Sequence, residues 1–202
     1  MVKHLMRYYD VNDGSIKIDG VDIRDFTRDG LRSQFAMVLQ DTWLFNGTVM
    51  ENIRYGKPDA TDEEVIAAAK TAQAHDFITA TDKGYDYMLS SKGTNVSGGQ
   101  RQRILIARAL LSKPEILILD DSSSALDYKT DAALRKALAK ELKNSTVITV
   151  AQRVSSVKNC DLILVLEEGK IIGKGTHEYL IENCKEYKEI SDSQMGGAFV
   201  ED

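Results

Sequence analysis

Apolar positions in this chain fall into two periods, and the change from one to the other marks out the elements. Ile116 to Leu119 is an unbroken apolar run, followed by Asp120 and Asp121. About Lys129 to Leu142 reads as a helix, and Thr146 to Val150 as a second short strand. Two near-continuous strands joined by a helix mark a parallel sheet covered on both faces. Phe35 to Leu39 is a third short apolar run, ending at Gln40, and reads as a buried strand. Ser15 to Ile18 alternates like a strand between the turns Asn12-Asp13-Gly14 and Asp19-Gly20. Leu162 to Leu166, Glu168-Gly169 and Lys170 to Ile172 read as a hairpin.

Helical spacing appears in four further places. Val2, Leu5, Met6 and Tyr9 lie on one helical face over Met1 to Tyr9, but no N-cap residue precedes them. This predicts a helix whose beginning has been cut off. Thr61-Asp-Glu-Glu64 is a capping-box pattern before the alanine-rich helix Val65 to Ala74, inside a mostly helical region from about Gly47 to Ser91. Ser97-Gly-Gly-Gln100 opens another helix, which runs to about Ser112 and is stopped by Lys113-Pro114. A last helix covers about His177 to Glu182, and the tail from Ser191 to residue 202 is expected to fray.

Composition narrows the class. The 202 residues suffice for one domain, or for a domain with a small subdomain. Hydrophobic content of 43% and charged content of 28% are ordinary for a globular chain. A net charge of −5 argues against non-specific nucleic-acid binding. Cys160 and Cys184 form neither a metal-ligand spacing nor a disulfide framework, which fits a reducing compartment. No apolar run reaches the ~18 residues of a membrane-spanning helix, so any membrane role comes through another segment or partner.

The chemistry gathers at strand ends. In an open parallel sheet, ligands sit outside the carboxyl ends of the strands. Gln40, Asp120-Asp121 and Gln152 lie at three such ends. The bland reading is that polar residues simply follow strands into loops. Two carboxylates directly after Ile-Leu-Ile-Leu are harder to explain that way, because desolvating a carboxylate is costly unless it is paired or faces a cation. Magnesium held through one carboxylate, waters and phosphate oxygens meets that need. At Ser97-Gly98-Gly99-Gln100, Ser97 and Gln100 form a capping box, and the glycines leave N–H groups open at a helix N-terminus that favours an anion. Alone, this is a plain glycine-rich helix start. Its distance from the paired acids strengthens the phosphate reading.

On these residues the chain resembles the nucleotide-binding domain of an ATP-binding cassette (ABC) transporter. Val96-Ser97-Gly98-Gly99-Gln100 resembles the signature motif, with Val for the usual Leu. Ile116 to Asp120 resembles the Walker B strand, Ser124-Ala125-Leu126-Asp127 the D-loop, and Gln40 the Q-loop glutamine. Gln40 to Thr48, followed by Glu51-Asn52-Ile53, is similar to the exporter branch. The resemblance implies an α/β fold of the P-loop-NTPase-like ABC ATPase type: a mostly parallel sheet with flanking helices, plus a helical subdomain. A partial nucleotide-binding domain would span 1–190, with the helical subdomain at about 47–112 and a C-terminal tail at 191–202. It also implies ATP and Mg2+ as cofactors, with Asp120 and Gln40 on the metal and Gln40, Ser97, Gly98, Gly99, Gln100 and Asp127 on the nucleotide. The segment after Gln40 would lie near the coupling helices of a transmembrane domain, making Trp43 and Phe45 candidates for that contact; ordinary core packing is an equal alternative for both.

Three departures from the family pattern shape the expected activity. The phosphate loop Gly-x-x-x-x-Gly-Lys-[Ser/Thr] does not occur in these residues. Met1-Val2-Lys3-His4-Leu5 resembles what directly follows it, so the N-terminal β-subdomain and Walker A strand are expected to be missing. The favoured account is a fragment or wrong start of a longer gene; a genuine truncation is the other. Asp121 stands where the family places a catalytic Glu, and Gln152 where it places the switch His. His177 is no substitute, because Gly175-Thr176-His177-Glu178 resembles a structural turn; His4 and His75 lie in no motif. An Asp121/Gln152 pair beside an intact signature resembles the degenerate-site subunit of a heterodimeric exporter. That implies an ABC-type ATPase at the cytoplasmic face of a membrane, coupling ATP binding and hydrolysis to substrate export. A second nucleotide-binding domain is the implied partner, and the fragment alone is expected to be inactive. The alternative is a truncated, non-catalytic protein that pairs with a complete domain. A DNA-repair ATPase of the same class is disfavoured, because the helical segment is too short for a coiled-coil insertion.

Overall fold

In the computed structural model, which describes residues 2–39, 43–122 and 124–196, the first helical spacing yields one turn, Val2–Leu5 (α1). The expected continuation to Tyr9 is not helical. Arg7 takes a left-handed φ of 51°, and its guanidinium donates to the carbonyl oxygens of Arg24 and Phe26 at 3.2 and 3.1 Å. The backbone therefore leaves the helix where Arg7 ties it to the residues just after the following hairpin. That hairpin pairs Lys17–Ile18 (β1) with Val21–Asp22 (β2). Its turn residues, Asp19 and Gly20, have φ of 48° and 84°, the two positive angles a tight hairpin turn requires. A short helix, Arg28–Arg32 (α2), is capped by Thr27 and leads into Phe35–Val38 (β3).

The region after β3 is mostly helical, as its pattern predicts. A two-stranded ladder of Gly47–Thr48 (β4) and Met88–Leu89 (β5) brackets Val49–Arg54 (α3), Asp62–Thr71 (α4) and His75–Thr79 (α5). The capping box at Thr61 and Glu64 forms, and a second one, Thr48 with Glu51, starts α3. Gly98–Leu111 (α6) follows, then Ile116–Asp120 (β6), Tyr128–Glu141 (α7) and Thr146–Val150 (β7).

Strands β3, β6 and β7 form a parallel sheet in the order β3-β6-β7. Phe35 pairs with Ile116, and Ile116 with Thr146, so the ends of β6 and β7 bring Asp120 opposite Val150. β6 is central, and Leu117, Ile118 and Leu119 are buried. β7 departs from the expected two-sided burial: Val147 and Val150 are exposed, and it has no second strand partner among the described residues. One core packs α3, α4 and α6 against the sheet through Ile53, Val65, Ala69, Ile104, Ile106 and Leu117. Each large aliphatic side chain buried this way contributes roughly 1.5–3 kcal/mol. The small residues of α4 and Gly56 allow close approach. A Cβ on Gly56 would lie 2.0 Å from the Arg108 carbonyl oxygen, so any larger residue there would push α6 away.

The chain divides into two compact units, Met1–Val150 and Ala151–Asp202. The second contains Val154–Val157 (α8), the antiparallel hairpin Ile163–Glu167 (β8) and Lys170–Gly175 (β9), His177–Asn183 (α9) and Lys185–Gly196 (α10). Val154, Ile163, Val165, Leu180 and Tyr187 make its core. The tail expected to fray from Ser191 is helical to Gly196, because Ser191 is buried and Gln194 is hydrogen-bonded.

Candidate functional site

The two adjacent acids at the end of β6 take different backbone states. Asp120 is still in the ladder, half-buried and paired in register with Val150. Asp121 donates its N–H to the Val150 carbonyl at 2.8 Å but has a left-handed φ of 47°. Its carbonyl oxygen then accepts from the N–H and Oγ of Ser124, at 3.3 and 2.9 Å. Asp tolerates this conformation better than most residues. The chain therefore turns at Asp121, in a loop tied to β7 on one side and to Ser124 on the other.

That loop passes over the start of α6. The predicted capping box is present: Ser97 N–H donates to Gln100 Oε1 at 2.9 Å, and Gln100 N–H to Ser97 Oγ at 3.2 Å. Ser97 caps the N–H of Gln100, and among the described residues no side chain caps those of Gly98 and Gly99 in the first turn. The glycines also have a packing reason. A Cβ on Gly99 would lie 2.9 Å from the Ala125 carbonyl oxygen, and one on Gly98 would lie 3.3 Å from the Ala125 Cβ. The signature-like turn and the loop carrying the acids are thus in direct contact. Asp127 closes the loop as N-cap of α7: Oδ1 accepts from Thr130 N–H at 2.9 Å and Oδ2 from Thr130 Oγ1 at 2.7 Å. The Thr130 N–H, then its hydroxyl, hold the Asp127 carboxyl below the usual carboxylate range.

Gln152 belongs to the second unit, where its side chain is exposed. Its carbonyl oxygen accepts from Gln194 Nε2 at 2.8 Å, while Gln194 Oε1 accepts from Val154 N–H at 2.8 Å. One amide of α10 therefore clasps the backbone on both sides of Arg153. Gln40 lies outside the described residues. Sequence reasoning did not find Gln194, because it sits in a polar tail with no motif.

Sequence reasoning also missed Asn52 and Arg108, which organise an exposed aromatic surface. Asn52 is buried; its Oδ1 accepts from Phe45 N–H at 2.8 Å, and its Nδ2 donates to the carbonyls of Phe45 and Thr48 at 3.0 Å each. Arg108, on α6, donates from Nε to the Asn52 carbonyl at 2.7 Å, from Nη2 to Asn52 Oδ1 at 2.9 Å and from Nη1 to the Trp43 carbonyl at 3.0 Å. Its guanidinium lies 5.0 Å from the Phe45 ring centre and 5.6 Å from that of Tyr55. Burial pushes the Arg108 pKa down to about 10. Trp43, Phe45 and Tyr55 are exposed, which rules out ordinary core packing for Trp43 and Phe45.

Among the described residues, no group of three or more His, Cys, Asp or Glu could hold a metal ion. A cage made wholly of protein ligands is therefore not built from them, whereas a single carboxylate at a strand end suits Mg2+ carried by waters and phosphate oxygens. The uncapped amides of Gly98 and Gly99 suit an anion. A separate cavity of about 310 Å³ lies in the helical region, lined by Val49, Phe77, Asp82, Tyr87, Val96 and Gln100 among others. It contains a carboxylate and no Lys or Arg, so it is no phosphate site.

A family model described as "ABC transporter" matches residues 1–124. The chain is 45% identical over 195 residues to heavy metal tolerance factor 1 of Caenorhabditis elegans, covering 96% of this chain and 24% of that protein. It is 47% identical over 188 residues to the ATP-dependent lipid A-core flippase of Desulfotalea psychrophila, covering 93% and 33%. Among solved structures, a bacterial Atm1-family ABC exporter with ATP bound superposes with a TM-score of 0.93 at 39% identity, covering 96% of this chain and 34% of that one. The chain spans about a quarter to a third of the length of these proteins. The expected α/β fold, a parallel sheet with flanking helices, is the fold of that exporter.

Proposed function

The chain belongs to the ABC transporter family, and on that premise we propose that it is the ATP-binding part of an exporter, coupling ATP binding and hydrolysis to substrate export across a membrane. The observation that carries this reading is the packing of the Ser97–Gln100 helix start beneath the Ala125–Leu126 loop that follows Asp120 and Asp121. One loop thereby joins the surface that would act on a partner domain's nucleotide to the carboxylates that would act on this chain's own.

ATP bound with Mg2+ supplies the γ-phosphoryl group that is transferred to water. Asp120, with Gln40, would hold the ion. Asp121 would orient the attacking water and accept its proton, but its carboxylate is about 1.5 Å short of a Glu at the same backbone position. Misplacement on that scale can cost on the order of 100-fold. Gln152 would donate a hydrogen bond toward the terminal phosphate without the positive charge of an imidazolium. Both differences favour ATP occupancy over turnover at this chain's own site. Ser97, Gly98, Gly99 and Gln100 would stabilise developing charge at the site of a second, more competent nucleotide-binding domain, with Asp127 fixing the loop between the two sites. A heterodimeric exporter is the assembly that uses such a pair.

The exposed Trp43, Phe45 and Tyr55 would receive the cytoplasmic coupling helices of a transmembrane domain. No helix among the described residues is long and apolar enough to cross a membrane, so that domain would lie outside residues 1–202. These residues contain no phosphate loop, and the chain alone is expected to hydrolyse no ATP. The proposal is tested by reading the genomic DNA upstream. An in-frame Gly-x-x-x-x-Gly-Lys-[Ser/Thr] motif and membrane-spanning segments are expected; an in-frame stop codon immediately upstream would overturn it.

A further inference from the structure

The cavity in the helical region shares one residue, Gln100, with the capped start of α6. At about 310 Å³, it has the volume of a small ligand site (roughly 300–1,000 Å³). Phe77 and Ile78 of α5, with Tyr87 and Val96, form its apolar wall. The Phe77 ring already carries a cation. The Arg103 guanidinium lies 4.6 Å from its centre, with Asp127 and Asp76 partly offsetting the charge. A second cation against the same ring would be repelled, so Phe77 serves the cavity as an apolar surface.

The polar groups of the cavity divide into acceptors and a donor. The Thr81 hydroxyl donates to the carbonyls of Ile78 and Gly84, at 2.7 and 3.3 Å, which leaves only oxygen lone pairs for a ligand. Its neighbour Asp82 is exposed at the rim and forms no ion pair among the described residues. Among the described lining residues there is no Lys, Arg or His, so nothing in the wall offsets the Asp82 charge. Gln100 supplies the opposite chemistry. Its Oε1 accepts from the Ser97 N–H at 2.9 Å, and that bond fixes which end of the amide is the nitrogen. Nε2 is left with two N–H donors and no acceptor among the described residues.

We propose that this cavity binds a small amphipathic amine and couples its binding to the start of α6. The ammonium sits at the Asp82 rim with Thr81 as a second acceptor. The carbon body covers Phe77, Tyr87 and Val96, and an acceptor atom takes a hydrogen bond from Gln100 Nε2. An anion is repelled by Asp82, and a purely apolar occupant would leave the Gln100 amide unpaired. The coupling runs through Gln100 alone. Its other end holds the Ser97 N–H, so a ligand that orders this side chain also steadies the capping box and the first turn, which carries Gly98 and Gly99. Only the functional consequence rests on the exporter reading, in which that turn serves the partner domain's nucleotide; the binding does not.

The probes are tyramine, its neutral alcohol analogue tyrosol and the anion 4-hydroxyphenylacetate, added to the full 202-residue chain and followed by methyl and amide NMR. The three share a ring and a phenol oxygen and differ in the group that meets Asp82. Tyramine should shift the methyl resonances of Ile78 and Val96, and should slow exchange of the Gln100 N–H. It should bind about fivefold more tightly than tyrosol at low salt, and 4-hydroxyphenylacetate should not bind. Asp82→Asn should bring tyramine level with tyrosol, and Asp82→Lys should turn the preference toward 4-hydroxyphenylacetate. Both substitutions are at an exposed side chain, so circular dichroism should stay unchanged. Five outcomes would each overturn the proposal: equal binding of tyramine and tyrosol by the parent, binding of none of the three, shifts that leave Ile78 and Val96 untouched, a preference that survives in Asp82→Asn, or Gln100 exchange unmoved by bound tyramine. The assay contains no nucleotide, so its failure leaves the ATP-binding reading standing, and a stop codon upstream would leave this result intact.

Discussion

Gly98 and Gly99 look interchangeable in the sequence, and the structure predicts that they are not. Replacing Gly99 by Ala places a Cβ 2.9 Å from the Ala125 carbonyl oxygen and 3.3 Å from Leu126 Cδ2. The backbone oxygen belongs to a loop fixed by Ser124 and Asp127, so it cannot retreat without disturbing either the loop or α6. Overpacking of this kind costs about 1–3 kcal/mol. Exchanging Gly for Ala inside a helix returns up to ~1 kcal/mol, less in the first turn, so the net destabilisation should be about 1–2 kcal/mol. At Gly98 the new Cβ meets the Ala125 methyl at 3.3 Å. Two methyl groups at a loop surface can part by a few tenths of an ångström, and the helix gain offsets the cost, so Gly98→Ala should fall within about 0.5 kcal/mol of the parent. Urea denaturation of the two variants, followed by circular dichroism, measures the difference. In the assembled transporter, Gly98→Ala should lower ATP turnover despite its intact stability, because the small residue then serves the approach of an anion to the helix start. If Gly98→Ala were the less stable variant, the loop would not pass over α6 as described. If it kept full turnover, the uncapped amides would have no ligand.

Four further outcomes follow from named contacts. In the assembled transporter, Asp121→Glu together with Gln152→His should raise turnover at this subunit's own site, measured against a partner whose competent site is inactivated; an unchanged rate would mean that neither position limits it. Asn52→Ala strands the Phe45 N–H, the Phe45 and Thr48 carbonyls and an Arg108 donor, and should cost roughly 2–4 kcal/mol in urea denaturation, with Trp43 emission moving at lower urea. Gln194→Ala removes both clasps on the 152–154 backbone, so amide exchange at Val154 should speed up while Ile163 and Val165 keep their protection. The Asp127 carboxyl is held low by Thr130, so its cap is fully present above the unfolded pKa of about 3.9 and is lost as pH falls through the lower folded value. Exchange at the start of α7 should therefore accelerate as pH falls below the ordinary carboxylate range, and stay flat in Asp127→Asn.

What could be read from the sequence was local. The capping boxes at Thr61 and Ser97 depend on residues three apart, so their spacing declares them, and both form. β6 declares itself by an unbroken apolar run, β7 by a near-continuous one, and the helix between them by its period. The extent of the first helix was not legible, because what ends it is Arg7 reaching carbonyls 17 and 19 residues away. Arg108 and Asn52 are 56 residues apart and belong to no short pattern; nothing in "Ile-Ala-Arg-Ala" separates a strut from a surface arginine. α10 was missed because its polar sequence has little apolar stripe, and its order comes from Ser191 and Gln194 meeting the rest of the second unit. Trp43 and Phe45 were legible as candidates but ambiguous, and burial alone separates a docking surface from a core.

The two adjacent acids at the end of β6 show how backbone state bears on the proposed chemistry. Asp120 is still in the strand, so its direction is set by the ladder that pairs it with Val150. Asp121 sits at a left-handed φ of 47°, tied by its N–H to β7 and by its carbonyl to Ser124. Left-handed conformation is cheapest for Gly, Asn and Asp, so the short acid relieves strain at the turn while drawing its carboxylate back by about 1.5 Å. Local stability and reach are therefore opposed at this one position. A Glu would carry the carboxylate forward but should tighten the turn, at a cost of up to about 1 kcal/mol. Gains in turnover from Asp121→Glu should accordingly come with a loop that opens more readily. That coupling separates a site tuned for occupancy from one that has merely lost a methylene. If Asp121→Glu raised turnover with no loss of protection at Ser124 and Asp127, strain at the turn would play no part in the choice of the shorter acid.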